Sequence, residues 1–287
     1  ENYVLTVFTA QERKEWEPVI KEVEERTGWN VRVETGSAKE MLSQLEKEEA
    51  DWDVAFGVSA DALEEGKEYW QTGKDAWTGY SAVSFVILYN TNVVTYRELP
   101  TGWDSLLEPR WKGRVAVPDP LKSDMAASVL TEAAKNSEKE EFLDLLAENM
   151  QYQMPETFKE VEQGISDGRY SIGVTSEEAA KAMLAAGQDV DYIDPEGGEC
   201  FFEDGTAIRK GTPNLDASEA FVTYTTCDDT KWLLRTQLLR QPAEDVAAEN
   251  DRSDEDLKQR YSRQQEVLNI WKLIMEEKTG PAHEQEQ

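Results

Sequence analysis

The sequence predicts an α/β protein of two lobes. Apolar runs with the period of strands alternate along the chain with amphipathic stretches of helical period, an order typical of α/β architecture with largely parallel sheets. Residues 85–89 form a five-residue run of β-branched and aromatic type, which suits a buried strand that leaves one lobe and enters another. The chain of 287 residues is long enough for two lobes of one binding unit.

Three repeats of strand and helix open the chain and are assigned to the first lobe. The predicted strands and helices, in order, are residues 3–8 (strand), 11–27 (helix), a strand that contains Val31 and Val33, 39–47 (helix) and 53–56 (strand). Gly28 ends the first helix, since glycine readily adopts the left-handed conformation of a helix terminus.

Small or polar residues follow each of these strands. They are Thr9-Ala10-Gln11, Thr35-Gly36-Ser37 and Gly57-Val58-Ser59. In open α/β sheets ligands bind outside the carboxyl ends of the strands, so these loops are expected to line one wall of a cleft. For any single loop, an ordinary connecting turn is the alternative.

The segment from 85 to 128 connects the lobes. After the strand at 85–89, Leu99-Pro100 breaks the chain, a short helix at 103–107 is stopped by Pro109, and a strand at 114–117 is stopped by Pro118. Ser123 or Asp124 caps a helix that runs from Met125. Such a helix start presents free backbone N–H groups, so it is a candidate binding loop.

The second lobe continues through two helices, a strand and a third helix. We predict helices at 137–150 and 158–166, a strand at 170–174 and a helix that ends near Ala186. Thr175 followed by Glu178 has the capping-box spacing, which makes Thr175 the cap, while Ser176 and Glu177 face the same cleft.

The chain then returns to the first lobe. A strand at 190–193 is followed by a second crossing strand at 206–209, and residues 215–280 are mostly helical and are expected to complete the first lobe. The predicted domains are therefore residues 1–86 with 207–287 as lobe 1 and residues 87–206 as lobe 2. The two crossing strands would act as the hinge.

Composition excludes several classes of function. Thirty basic and 59 acidic residues give a formal charge of −29, which repels nucleic acids and anionic lipid head groups. No apolar run reaches the roughly 18 residues of a membrane span. The start at Glu1 fits a processed or trimmed product, and the two cysteines, Cys200 and Cys227, are either bonded or free.

Catalytic motifs are absent from the sequence. It contains no GxSxG, no Walker glycine loop, no HExxH and no GxGxxG. The single histidine, His283, lies in a polar tail, so a histidine-based catalytic or metal site is excluded. We predict that the protein is not an enzyme and that it needs no cofactor and no metal.

Several segments resemble the extracytoplasmic solute-binding proteins of ABC importers. The most specific is the order YNT followed by LPTGWDSLLEPRWKGRVAVPDP; weaker ones are LTVFTA, ERTGWNVRVETGSAKEML, DVAFGVSADALEEGKEYW, RYSIGVTSEEAAKAML and GTAIRKGTPN. The branch that the chain resembles takes ferric iron, phosphorylated sugars or phosphonates. The resemblance implies a two-lobed type II periplasmic-binding-protein fold with two hinge strands. It also implies a monomeric, periplasmic or lipid-anchored receptor that closes on a solute and passes it to a membrane permease.

Three cues bear on the solute. No two of the ten tyrosines are adjacent, whereas ferric relatives commonly use adjacent tyrosines. Hydroxyls and helix starts suit a phosphoryl or phosphonyl group, and Lys122 adds positive charge. The predicted ligand-binding residues are Thr9, Ala10, Gly36, Ser37, Gly57, Ser59, Tyr80, Ser81, Lys122, Ser123, Asp124, Met125, Thr175, Ser176 and Glu177.

Other interpretations stay open on the sequence. Asp124 stands where relatives often have a small residue, so it either disfavours an anion, recruits a cation or only caps its helix. Glu177, Glu199 and Trp77 or Tyr80 would instead suit sugar hydroxyls or an ammonium group. A ferric iron or ferric-chelate receptor, a ligand-sensing domain of a signalling receptor, and an enzyme on the same scaffold are the alternatives.

Overall fold

The computed structural model describes residues 4–71, 76–196, 200–246 and 254–279, with side chains from 256 onward in the last range. The chain divides into two compact units. Unit 1 comprises Glu1–Val83 with Phe202–Tyr261, and unit 2 comprises Ser84–Phe201 with Ser262–Gln287. The chain passes from one unit to the other within two strands and within its last helix.

Unit 1 is built on a sheet in which three strands run parallel. Its elements are β1 (Leu5–Thr9), α1 (Arg13–Thr27), β2 (Val31–Thr35), α2 (Ala38–Glu46), β3 (Val54–Ser59), α3 (Ala60–Glu65) and the start of β4 (Thr78–Asn90). β1 pairs in parallel with both β2 and β3, as the repeats predicted. The carboxyl ends of these three strands therefore lie at one edge of the sheet.

The later segments of unit 1 return to the same sheet. β8 (Cys200–Ile208) pairs antiparallel with β3, and residues of β9 (Gln241–Pro242) pair antiparallel with Ser81 and Ala82 of β4. The remaining helices, numbered in chain order after those of unit 2, are α8 (Leu215–Thr225), α9 (Asp228–Leu233) and α10 (Ala243–Val246). Apolar side chains such as Trp52, Trp70 and Leu63 form one buried cluster, and Val7, Phe56 and Phe221 belong to another.

Unit 2 contains further strands of the nine-stranded sheet and has its own core. Its elements are the end of β4, β5 (Val115–Ala116), α4 (Asp124–Asn136), α5 (Phe142–Asn149), α6 (Phe158–Ser166), β6 (Ile172–Ser176), α7 (Glu177–Ala185), β7 (Val190–Ile193) and most of α11 (Asp254–Thr279). β4 pairs antiparallel with β6 and with β7, and β5 pairs in parallel with β6. Val86, Leu88, Val161 and Ile165 lie in its core.

Several expectations need correction. The sheets are not largely parallel, because β4 and β8 run against their neighbours. The predicted helix at 137–150 begins only at Phe142, since Ser137 ends α4 and its hydroxyl bonds to Asp104. The segment at 103–107 is a 3₁₀ helix.

The domain assignment of the C-terminal residues also differs from the prediction. We assigned residues 207–287 to lobe 1, whereas the described residues of α11 from Ser262 onward belong to unit 2. The physical reason lies in Gln264, whose Nε2 donates to the Asp124 carbonyl at 3.0 Å and to Ser128 Oγ at 2.8 Å. These bonds attach α11 to α4.

Cys200 and Cys227 form no disulfide bond; Cys200 is buried and Cys227 is part-buried. His283 lies outside the described residues, as does Glu199. Among the described residues, no helix combines the length and apolar character needed to cross a membrane.

Candidate functional site

The ends of β1 and β2 meet as predicted. The Gly36 N–H donates to the Thr9 carbonyl at 3.2 Å, and the Gln11 N–H donates to Thr9 Oγ1, also at 3.2 Å. Thr9 is fully buried and Ala10 is part-buried. The hydroxyl of Thr9 therefore shapes the loop after β1.

Ser37 caps α2 and is engaged by its own helix. Ser37 Oγ accepts from the Glu40 N–H at 3.2 Å, and Glu40 Oε2 accepts from the Ser37 N–H at 2.7 Å. This reciprocal pair is a capping box. The Glu40 carboxylate thus occupies the position that a bound anion would take at this helix start.

A surface cavity of about 300 Å³ opens beside this loop. It is lined by Phe8, Thr35, Gly36, Glu40, Ser43, Gln44, Lys47 and Glu49. Two carboxylates and one ammonium group in the lining give it a slightly acidic character.

Gly57 and Gln11 are in close contact. The pairing register of β3 with β8 shifts between Phe56 and Val58, and Gly57 has φ of +61°, a left-handed conformation that glycine adopts without strain. A Cβ atom at Gly57 would lie 2.6 Å from Oε1 and 2.7 Å from Nε2 of Gln11. The irregular strand makes room for the Gln11 amide.

A buried ion pair lies next to that amide. Arg240 Nη2 is 2.5 Å from Asp204 Oδ2, and Arg240 Nη1 is 3.1 Å from Glu15 Oε1. The side chains of Arg240 and Asp204 are only 7% and 4% exposed. Gln11 Nε2 donates to the same Asp204 oxygen at 3.2 Å. Together with Tyr80, Asp61 and Glu203, these residues are called the Asp204 cluster below.

An unusual backbone turn places Arg240 in this cluster. Residues Leu234–Leu238 form a π-helical turn, and Leu239 follows in the left-handed conformation with φ of +53°. Leucine adopts this conformation only at an energetic cost, and π-helical turns are frequent at functional sites. The Arg240 N–H closes the turn by donating to the Leu234 carbonyl at 3.0 Å.

Three carboxyl groups of the Asp204 cluster have raised pKa values, chiefly because they are buried. Burial raises the pKa of Asp204 to about 6 although Arg240 opposes the shift. Burial likewise raises the pKa of Asp61, against a hydrogen bond from Ser59 and the charge of Arg260. The pKa of Glu203 rises to about 7, first through burial and then through the charge of Asp204.

Tyr80 and Ser81 lie on β4 in the interior of unit 1. Tyr80 is 2% exposed, its ring centroid is 4.7 Å from that of Phe56, and burial raises its pKa. Neither hydroxyl has a hydrogen-bond partner within the described part of the chain. The same holds for Gln11 Oε1, Arg240 Nε and Asp61 Oδ2.

In unit 2, Ser123 caps α4 as predicted. Ser123 Oγ accepts from the Ala126 N–H at 3.2 Å, and Asp124 is the first residue of the helix. Met125 is part-buried, whereas Lys122 is exposed and forms an ion pair with Glu156. The Lys122 charge is therefore already compensated by a carboxylate.

The second predicted loop of unit 2 differs by one residue from the prediction. Ser176, not Thr175, caps α7, with Oγ accepting from the Ala179 N–H at 3.2 Å. Thr175 is buried in β6 and donates to Glu162 Oε1 at 2.8 Å. Glu177 is 2.9 Å from Lys181 Nζ and 3.4 Å from the Tyr192 hydroxyl.

The structure thus brings part of the predicted set together in unit 1. Gly57, Ser59 and Tyr80 belong to the same neighbourhood as Gln11, Asp204 and Arg240, which are not in the predicted ligand-binding set. Gln11 is part of the predicted Thr9-Ala10-Gln11 loop, whereas Asp204 and Arg240 are new. No sequence signal marks Arg240. In the described residues, no group of three or more His, Cys, Asp or Glu side chains is arranged to hold a metal ion.

Comparison with known proteins gives consistent matches. The family model described as bacterial extracellular solute-binding protein matches residues 51–265. Iron uptake protein A1 of Synechocystis sp. is 24% identical over 258 residues, which cover 78% of this chain and 68% of that protein.

Solved structures match over nearly the whole chain. A ferric binding protein from Campylobacter jejuni has a TM-score of 0.74 at 17% identity, covering 94% of this chain and 99% of that one. The periplasmic binding protein AfuA from Actinobacillus pleuropneumoniae, with exogenous fructose-6-phosphate bound, has a TM-score of 0.74 at 14% identity, covering 93% and 97%. At these identities the similarity concerns the fold.

Proposed function

Because the chain belongs to the family of bacterial extracellular solute-binding proteins, which serve ABC importers, we propose that it captures a small polar solute carrying a phosphoryl or phosphonyl group. The type II periplasmic-binding-protein fold expected from the sequence is confirmed. We further propose that the protein works as a monomer outside the cytoplasm, passes the solute unchanged to a membrane permease and has no enzymatic activity. Enclosure of the solute by two lobes stays a prediction from the sequence.

The observation that carries the phosphoryl proposal is the start of α4. This helix has 13 residues, follows the Pro118 to Ser123 loop and has a serine cap. A helix N-terminus of this kind stabilises an anion by about 0.3–1 kcal/mol when exposed and by more when enclosed. The cap of α7 at Ser176 offers a second helix start in the same unit. The carboxylate of Asp124, in the first turn of α4, competes with an anion there.

Calorimetry tests this proposal directly. Glucose 6-phosphate, fructose 6-phosphate, 2-aminoethylphosphonate and inorganic phosphate are titrated into the protein, and thermal unfolding is measured in parallel. A cognate solute at 100 times its dissociation constant stabilises the folded state by about 2.7 kcal/mol. Absence of heat and of stabilisation with all four compounds contradicts the proposal.

Ferric iron or a ferric chelate is the second candidate. Similarity to Iron uptake protein A1 and to a ferric binding protein favours it, and Tyr192 beside Glu177 places a phenol and a carboxylate together in unit 2. Addition of ferric citrate is then expected to produce visible tyrosinate-to-iron absorbance. Tyr192→Phe abolishes that band if Tyr192 is a ligand, and a colourless mixture rejects this candidate.

A further inference from the structure

We propose that the Asp204 cluster of unit 1 binds a hydrogen-bond-donating group of the solute, a hydroxyl or an ammonium, and disfavours its phosphoryl or phosphonyl group. The inference rests on the proposed function and specifies the solute further. It predicts that the protein discriminates against inorganic phosphate, because phosphate lacks such a group at a distance from its anionic centre.

The first argument for this proposal is the balance of charges in the Asp204 cluster. The carboxyl groups of Glu15, Asp61 and Glu203 lie within electrostatic range of that of Asp204, which makes four carboxyl groups in all. The guanidinium group of Arg240 faces Asp204, and that of Arg260 faces Asp61. With all groups ionised, the sum is two positive against four negative charges. Burial is the main cause of the raised pKa values of Asp61, Glu203 and Asp204, and the charges of neighbouring carboxylates add to it for Glu203 and Asp204. The excess of negative charge opposes an added anion.

The second argument is that several buried polar atoms of the cluster have no hydrogen-bond partner among the described residues. Asp61 Oδ2 and Gln11 Oε1 are buried acceptors without a donor among the described residues. In the same cluster, Arg240 Nε is a buried donor without an acceptor there, and the Tyr80 hydroxyl is a buried group without any partner there. Asp61 and Tyr80 are 3% and 2% exposed. Buried polar groups in native proteins are nearly always hydrogen-bonded. A surplus of acceptors indicates that the missing partner is a donor.

The geometry around Gln11 orients its amide. Nε2 donates to Asp204 Oδ2, so Oε1 is the end that remains for a ligand. Arg240 Nη2 holds the same Asp204 oxygen at 2.5 Å, and the missing Cβ of Gly57 makes room for the amide. Asp204 and Arg240 are therefore positioning residues for Gln11.

Access to the cluster is through its three part-buried members, Gln11, Glu15 and Glu203. Gln11 lies directly after β1, at the sheet edge where strand ends bind ligands in this architecture. The irregular turn at Leu239 and the register shift at Gly57 both converge on this point. Of the two, only the left-handed conformation of Leu239 is strained, and strain of this kind is characteristic of functional sites.

Matched probes test the proposal by calorimetry. 2-Aminoethylphosphonate is compared with propylphosphonate, which replaces the ammonium by a methyl group, and glucose 6-phosphate is compared with inorganic phosphate. We expect at least one donor-bearing compound to bind about tenfold or more tightly than its partner, as a hydrogen bond to a charged group provides. The pair that shows the difference identifies the donor as an ammonium or a hydroxyl. Equal affinity within both pairs overturns the proposal.

Gln11→Leu locates the effect. It removes the acceptor and is expected to weaken the donor-bearing compound about tenfold while leaving its donor-free partner unchanged. Glu65→Gln, which removes an exposed charge at the end of α3 in the same unit, serves as the control and changes neither affinity. Equal weakening of both partners by Gln11→Leu overturns the proposal, because it indicates a structural role.

The ligand-free protein provides a separate readout. Tyr80→Phe removes a hydroxyl that has no partner in the described structure, so the melting temperature is expected to stay constant or rise. A fall of several degrees means that the hydroxyl is hydrogen-bonded in solution, and the cluster is then structural. If none of the four probes binds, the phosphoryl function is rejected. If the melting temperature of Tyr80→Phe is then unchanged or higher, the donor-binding role of the Asp204 cluster is retained.

Discussion

The amide of Gln11 occupies the space that a side chain at Gly57 would need. A Cβ at Gly57 would approach Gln11 Oε1 to 2.6 Å, and the backbone there has φ of +61°. The loop after β1 and the irregular part of β3 are thereby matched to one another. Two positions that lie 46 residues apart in sequence (57 − 11) depend on each other for the placement of one polar group.

Gly57→Ala is expected to destabilise the protein by more than its backbone conformation alone explains. An alanine in the left-handed region costs about 1–2 kcal/mol, and the clash with Gln11 adds to this. Urea unfolding measures the loss. Gly211→Ala is the control, because Gly211 has φ of +78° and nothing within 4 Å of a Cβ. Equal losses of the free energy of unfolding in Gly57→Ala and Gly211→Ala contradict the contact. A double variant, Gly57→Ala with Gln11→Ala, that is no more stable than Gly57→Ala alone contradicts it as well.

Removal of Arg240 is expected to leave a buried carboxylate uncompensated. Arg240→Met should therefore lower the free energy of unfolding by about 3–5 kcal/mol, and Asp204→Leu in the same protein should restore part of it. Arg235→Met is the matched control, since its ion pair with Asp245 at 2.6 Å is 50% and 39% exposed and contributes about 1 kcal/mol or less. Similar losses of the free energy of unfolding in Arg240→Met and Arg235→Met would contradict the stabilising role of the buried ion pair.

Stability is expected to rise as the pH falls from about 7.5 to 5. The pKa values of Asp204 and Glu203 are raised in the folded state to about 6 and about 7, so folding takes up protons in this range and ionisation above it destabilises the fold. For Asp204 the gain accumulates as the pH falls from about 6 towards the ordinary value of 3.8, and these two pKa units correspond to roughly 3 kcal/mol. Arg240, Glu15 and Asp61 face these groups and define their environment.

Urea unfolding at several pH values checks this expectation. Asp204→Asn and Glu203→Gln together should flatten the dependence between pH 5 and 7.5. The exposed carboxylate variant Glu65→Gln should leave it unchanged. If the free energy of unfolding of the unmodified protein rises with pH instead, the assignment of raised pKa values to Asp204 and Glu203 is wrong.

The cap at Ser123 permits a test that separates helix stability from anion binding. Ser123→Asp keeps a good cap, so unfolding should change by less than about 1 kcal/mol, while the added negative charge should weaken glucose 6-phosphate about tenfold or more. Thr157→Asp, at the cap of α6 where Thr157 Oγ1 accepts from the Glu160 N–H, is the control. Unchanged affinity in Ser123→Asp would mean that the phosphoryl group binds elsewhere.

The net charge of −29 predicts that salt stabilises the fold. Carboxylates repel one another over the surface, and raising ionic strength from 0.1 to 1 M shortens the screening length from about 10 to about 3 Å. Thermal unfolding in NaCl should show a rising midpoint at pH 7.5. At pH 4.4, the isoelectric point of the sequence, the rise should shrink. A midpoint that falls with salt at pH 7.5 contradicts dominant repulsion.

Much of the local structure was accessible from the sequence because it depends on neighbours in the chain. The alternation of strands and helices, the Gly28 stop and the serine cap at Ser123 follow from periodicity and terminal chemistry. The cap of α7 was misplaced by one residue because Thr175 and Ser176 both carry hydroxyls. Only the tertiary structure buries Thr175 and bonds its hydroxyl to Glu162. The capping carboxylate at Glu40 has the same spacing signal and was overlooked.

The sequence by itself therefore determined the α/β class, the family resemblance and the loops at the strand ends. Only the tertiary structure decided which polar groups meet there. Gln11 and Asp204 are 193 residues apart, and Arg240 reaches them through a π-helical turn and a left-handed leucine that no local pattern announces. The reason is physical: periodicity reports on contacts within a few residues, whereas burial of charge depends on segments that only folding brings together.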